Sequence, residues 1–362
     1  MLLIIIAAAA LLACLGFWAL AGRRAGRPAA ADHAVRDHWD VPSPSIPDAA
    51  RTIEQIGSAA SGAPFDTPKI AAANAALTER LWRMAFVAPA QTEALPEADL
   101  KVRDQVLAVL GGARLDAKFF PRRPTLMPQL MQAVQDPAAA TERLSRIVAH
   151  DPVLTADVLR LANSSRFRTT SQPIETIQRA IVVMGVDALR GLLAVAMMQP
   201  VFRASRNNFP RFPRMLWERT ERAARAANAF ALRVRPEDRF ESQLAILLSA
   251  LGPLAVYGAA LDIYSQNPQL RPNASLLVEL TSTLGKQMAL HIARQWETSP
   301  RLQAAIEQSL GEPMALALCV GELLGTLSLL EAQHVVSADE ALEIANSVDL
   351  GGELLERSAR AA

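Results

Sequence analysis

Few residues in this sequence could do chemistry, and they are scattered. An imidazole beside a carboxylate could hold a divalent cation that activates water, and the dipeptide His150-Asp151 offers that pair. The other histidines stand at 33, 38, 291 and 334. His33 and His38 lie beside Asp37, Trp39 and Asp40 with no further ligand at useful spacing, while His291 and His334 each stand alone. Two cysteines, Cys14 and Cys319, cannot build a disulfide framework or a closed zinc site. Cys319 falls within the apolar run Met314-Ala315-Leu316-Ala317-Leu318-Cys319-Val320, where a thiol is expected to be buried and inert. No Gly-x-Ser-x-Gly elbow, P-loop or Gly-x-Gly-x-x-Gly turn occurs.

A second constellation is basic. Arg203, Arg206, Arg211, Arg214, Arg219, Arg222, Arg225, Arg233 and Arg235 face only Glu218 and Glu221 in their stretch, although the whole chain has a net charge of +1. This local excess could meet an anionic nucleotide, an acidic partner protein or an anionic membrane leaflet. Glu218 with Arg222 and Glu221 with Arg225 are spaced i, i+4, so part of the run is expected to be helix-surface pairing. Nucleic acid is disfavoured, because the balanced charge gives no attracting field and only Phe209 and Phe212 could stack.

The elements that must position these groups are helical. The 362 residues are 51% hydrophobic and 20% charged, enough apolar surface for a sizeable core and too little charge for wholesale disorder. Residues 2–21 are uninterruptedly apolar, and a helix of that length, about 30 Å, spans a bilayer. Arg23, Arg24 and Arg27 follow it and no Lys or Arg precedes it, which puts the rest of the chain in the cytoplasm and predicts an uncleaved anchor in the inner membrane, with Trp18 at the interface. Ala19-Leu20-Ala21 has the look of a cleavage site and Leu11-Leu12-Ala13-Cys14 that of a lipoprotein box. Neither has the basic segment that would normally precede it. Residues 1–22 are thus assigned to a transmembrane anchor and 23–67, with Pro28, Pro42, Pro44, Pro47 and Pro64, to a flexible linker.

A helical pair is expected over 68–117. Ile70, Ala73, Leu77, Leu81 and Met84 mark one face of its first helix, and Val102, Val106 and Val109 mark the second, which stops at Gly111-Gly112. The pair could be an oligomerising hairpin or the opening layer of the domain after it. From 118 onward helical periods recur without strand alternation. Asp136-Pro137, Asp151-Pro152 and Ser299-Pro300 each place a capping side chain before a proline suited to a first helical turn, and Ser337 with Glu340 forms a capping box. Gly185 reads as a helix stop with Asp187 capping the next helix. A helical domain over 118–335 and C-terminal helices over 336–362 complete an all-α chain.

The segment Phe120-Pro121-Arg122-Arg123-Pro124-Thr125-Leu126-Met127-Pro128, followed by Asp136-Pro137, Asp151-Pro152-Val153-Leu154, Leu161-Ala162-Asn163-Ser164, Ala180-Ile181 and Met184-Gly185, resembles the HDOD domain, the HD-related output domain. The likeness is strongest over 118–200 and continues to about residue 330. It implies an HD-like helical bundle and a signalling role. HD-type phosphohydrolases hold metal with histidines and aspartates. Here the resemblance puts Arg219 at the first histidine, Ser249 and Ala250 at the His-Asp pair, and Thr281 and Ser309 near the later ones. Those side chains cannot assemble a hard-cation site.

The expected function is a non-catalytic signalling or scaffolding module at the cytoplasmic face of the membrane, acting through contacts with signalling proteins and needing no cofactor or metal. Asn163 and Ser164 are candidates for a ligand or partner contact, though their chemistry favours closing the end of their own helix. Arg219, Arg222 and Arg225 are candidates for a signalling nucleotide. The remaining alternative is a degenerate phosphohydrolase using His150, Asp151 and Asp187.

Overall fold

A computed structural model of the chain describes residues 65–89, 94–111, 124, 127–129, 137–149, 152–164, 173–203, 208–308, 313–348 and 350. The expected anchor, residues 23–64 of the expected linker, and His150, Asp151 and Ser309 lie outside the described residues, whereas the last linker residue, Thr67, already opens a helix. Among those described, every regular element is helical. In chain order these are α1 (Thr67–Phe86), α2 (Glu97–Gly111), α3 (Pro137–Ala149), α4 (Pro152–Ala162), α5 (Ile177–Met184), α6 (Val186–Arg203), α7 (Arg211–Val234), α8 (Arg239–Ser265), α9 (Ala274–Gln295), α10 (Pro300–Glu307), α11 (Pro313–Ala332) and α12 (Ala338–Ser347). A short 3-10 turn, Pro236–Asp238, joins α7 to α8.

Local chemistry fixes several helix ends. Ser299 and Ser337 accept from the backbone N–H groups of Leu302 (3.2 Å) and Glu340 (3.1 Å), as their positions before α10 and α12 predict. The Glu340 carboxylate does not close the box. It accepts from Arg80 at 2.6 Å, so α12 is tied to α1. At α1 the cap is Asp66, one residue earlier than Thr67, accepting from Lys69 N–H at 3.0 Å. Gly185 ends α5 with a φ of +83°, a conformation L side chains rarely adopt. Asp187 lies inside the first turn of α6, not before it, and accepts from Arg190 at 2.9 Å.

Two helix pairs form the densest part of the core, α7 with α11 and α8 with α9. Both exist because small residues let backbones meet. On α11, a Cβ at Gly321 would come within 2.7 Å of the Ala227 Cβ, and one at Gly325 within 2.5 Å of the Ala223 backbone nitrogen. On α8, a Cβ at Gly252 would lie 1.9 Å from the Gly285 carbonyl oxygen of α9. These contacts set spacings that any larger side chain would break. The stretches Pro236–Ser265 and Met314–Ala332 are each long and apolar enough to cross a membrane, but most of each is buried against its neighbours in this bundle.

The first helical pair belongs to the same core. Ile70, Leu81, Trp82 and Phe86 of α1 are buried, and α1 packs on α11 and α9. Phe86 stacks on Phe212 of α7 at 4.3 Å, and Trp82 meets the same ring edge-on at 5.1 Å. Helix α2 is held by a buried polar cluster. Tyr264 Oη donates to Asp99 Oδ1 at 2.6 Å, and Asn273 Nδ2 donates to Asp99 Oδ2 at 2.8 Å while its Oδ1 caps α9.

Burial, and secondarily the Asp99 carboxylate, pushes the Tyr264 phenol well above its ordinary pKa of 10.0. The folded state therefore keeps this phenol neutral where the unfolded chain would ionise it. Its contribution is complete below pH 10.0 and is lost as pH rises from there toward the folded value. Urea midpoints should fall above pH 10.0 more steeply in the parent than in Tyr264→Phe, which is less stable at neutral pH.

Candidate functional site

Arg219 sits in the middle of α7, on the face that the close approach of α11 covers. Its side chain is 6% exposed. The guanidinium is engaged on several sides. Nε donates to Thr326 Oγ1 at 2.9 Å, and Nη2 lies 3.6 Å from Glu322 Oε1. Its Cζ is 5.9 Å from the centroid of the Trp82 ring, within cation–π range. The other Glu322 oxygen accepts from Asn74 Nδ2 at 3.0 Å. Helices α1, α7 and α11 thus meet around one buried charge pair. It survives burial because its polar atoms find partners.

The remaining arginine candidates do not gather with it. Residues three apart on a helix are turned by about 60°, so Arg219, Arg222 and Arg225 fan around α7. Arg222 is half-buried and donates to the Glu218 backbone carbonyl at 3.3 Å; burial lowers its pKa, with the Glu218 charge opposing. Arg225 is exposed. The Glu218 carboxylate lies 3.8 Å from Arg214 Nε, one turn before it and not one turn after, as its spacing from Arg222 suggests.

Asn163 and Ser164 close the end of α4. Asn163 brackets one residue of the chain entering α5, its Nδ2 donating to the Ile174 carbonyl (2.8 Å) and its Oδ1 accepting from the Ile174 N–H (2.7 Å). Nδ2 also donates to the Leu159 carbonyl at 2.9 Å, and Ser164 Oγ donates to the Leu161 carbonyl at 2.6 Å. The Asn-Ser pair thus performs the turn-closing task that its chemistry allows. Asn163→Ala strands both polar groups of Ile174 and should lower stability by about 2 kcal/mol in urea unfolding, with helix content in the folded state retained.

The positions that the resemblance assigns to metal ligands hold other work. Ser249 is half-buried and Ala250 buried on α8. The buried Thr281 hydroxyl donates back into α9, to the Leu277 carbonyl at 2.6 Å. Among the described residues, no three His, Cys, Asp or Glu side chains converge as a metal site. Cys319 is buried, and burial followed by the Glu322 charge pushes its thiol up to about 12. His291 is partly buried, which lowers its pKa, while His334 is exposed just after α11 with a φ of 56°.

The model of the HDOD domain matches residues 120–310, more than half of the chain. The chain belongs to the HDOD family. At the level of the family, this is an HD-related output domain. The fold is similar to that of a protein from Shewanella amazonensis SB2B provisionally named a metal-dependent phosphohydrolase, at 15% identity over 74% of this chain and 100% of that one, with a TM-score of 0.51. An HDOD domain protein of unknown function from Geobacter sulfurreducens gives a TM-score of 0.48 at 17% identity, over 72% of this chain and 93% of its own. A protein from Marinobacter aquaeolei VT8, provisionally named for signal transduction, gives 0.45 at 17% identity, over 73% of this chain and 66% of its own. No curated protein matches the chain.

For an HDOD protein, the question that such names raise is whether these residues could hold a metal. The donor chemistry does not fit. A guanidinium cannot give a lone pair, Ala250 has no donor, and the neutral hydroxyls of Ser249 and Thr281 are weak ligands that cannot replace the imidazoles and carboxylates of such a site. Sequence reasoning reached Arg219 but missed its partners Asn74, Trp82, Glu322 and Thr326. One signal was present: Glu322 interrupts the apolar run of α11 between Gly321 and Gly325, and a carboxylate in such a run needs a buried cation.

Proposed function

We propose that this HDOD protein is a non-catalytic signalling or scaffolding module, held at the cytoplasmic face of the inner membrane by residues 2–21 and working through contacts with signalling proteins. The observation that carries the reading is Arg219. The position where an HD-type sequence would place its first metal-binding histidine is filled by a cation, buried and paired with Glu322. A metal ion at that position would meet like charge in place of a lone pair. The fanning of Arg219, Arg222 and Arg225 speaks against one nucleotide bound by all three.

The test uses the full chain in detergent. Elemental analysis should find manganese, iron and zinc well below stoichiometric amounts, and cyclic dinucleotides should remain intact. Stoichiometric metal together with hydrolysis overturns the proposal. Deleting residues 2–21 should move the protein from the membrane fraction to the soluble one. Crosslinking from membranes with the anchor intact should recover signalling proteins that the deleted form does not.

A further inference from the structure

The Arg219 guanidinium is enclosed by groups that together have the features of a cation receptor. Glu322, 12% exposed, supplies the anion, and Asn74 fixes its far oxygen. The Thr326 hydroxyl donates its proton to the Glu322 backbone carbonyl at 2.7 Å, so what it offers the guanidinium is a lone pair. The Trp82 ring presents π-electron density from α1. A carboxylate, a committed hydroxyl and an indole all favour positive charge, and they come from two helices that are not the arginine's own.

We propose that the junction of α1, α7 and α11 is a cation site occupied from within, in which the Arg219 guanidinium permanently supplies the charge that an HD-type enzyme draws from an exchangeable metal. The proposal rests on the non-catalytic reading above and deepens it. A tethered cation cannot leave, so metal supply cannot switch the bundle. The charge also secures α1, since Asn74 and Trp82 both reach the pair from that helix.

Arg219→Ala removes a fragment equal to ethylguanidinium and leaves the receptor empty. In the full chain in detergent, this variant should melt several degrees below the parent. Ethylguanidinium should raise its melting temperature saturably, whereas ethylurea, a neutral analogue of similar shape, should not. Adding Glu322→Gln should abolish the rescue, and the parent should gain nothing from ethylguanidinium. Equal rescue by ethylurea, or no saturable rise in a variant whose circular dichroism matches the parent's, overturns the proposal.

If Arg219→Ala does not fold, Arg219→Met is compared with Arg219→Met/Glu322→Gln. The double variant should melt higher, because it no longer buries an unpaired anion; an equal or lower melting temperature overturns the proposal. Metal analysis of the parent keeps the two ideas apart. Bound stoichiometric metal with hydrolysis defeats the non-catalytic reading, whereas metal-free protein without rescue defeats only the internal cation.

Discussion

Alanine at Gly252 should destabilise the protein by about 3 kcal/mol, since overfilling a tight contact between helices has no inexpensive relaxation. The added Cβ would lie 1.9 Å from the Gly285 carbonyl oxygen and 2.6 Å from the Ala289 nitrogen. Both are backbone atoms, so no side chain can rotate away and α8 must move off α9. The control lies in the same helix. A Cβ at Gly258 meets nothing within 4 Å. Gly258→Ala should therefore stabilise, by roughly 0.5–1 kcal/mol from helix propensity alone. Urea unfolding of the two variants would separate a packing role for Gly252 from a general cost of adding a methyl group to α8. A neutral Gly252→Ala would mean that the helices are farther apart than described.

Removing the Trp82 side chain should cost about 4 kcal/mol, the usual scale for truncating a large buried aromatic. Trp82 is 1% exposed and meets Phe212 edge-on at 5.1 Å, with the Arg219 guanidinium near its face. Trp82→Phe keeps a ring but weakens the cation–π contact, and should fall between parent and alanine variant. The loss should extend to α1 as a whole. Hydrogen exchange should quicken along Thr67–Phe86 before it does in α8 and α9, because α1 reaches the core through this ring, its apolar neighbours and Asn74.

The helical class and many boundaries were legible because they rest on short-range rules. Ser299 and Ser337 announce α10 and α12 through caps within three residues, and α2 runs to Gly111, the first residue of the expected Gly-Gly stop. The turn at Asn163 was legible as chemistry, since an amide can satisfy a loop, but not as geometry, since Ile174 is eleven residues away. Asn74 was not legible at all. It lies on the buried side of α1 among apolar residues, and its partner Glu322 is 248 residues later in the chain. Likewise, Arg219 in isolation looks like one member of a basic run. Its burial follows from α11, whose Gly321 and Gly325 allow the approach that brings Glu322 and Thr326 to it.

That approach bears on how a domain of this kind could relay a stimulus. With Ala223 and Ala227 seated against Gly321 and Gly325, α7 and α11 lie backbone against backbone, and any larger side chain turned into this seam would force them apart. A force applied at either helix is then borne by the two together, as by a single stiff rod.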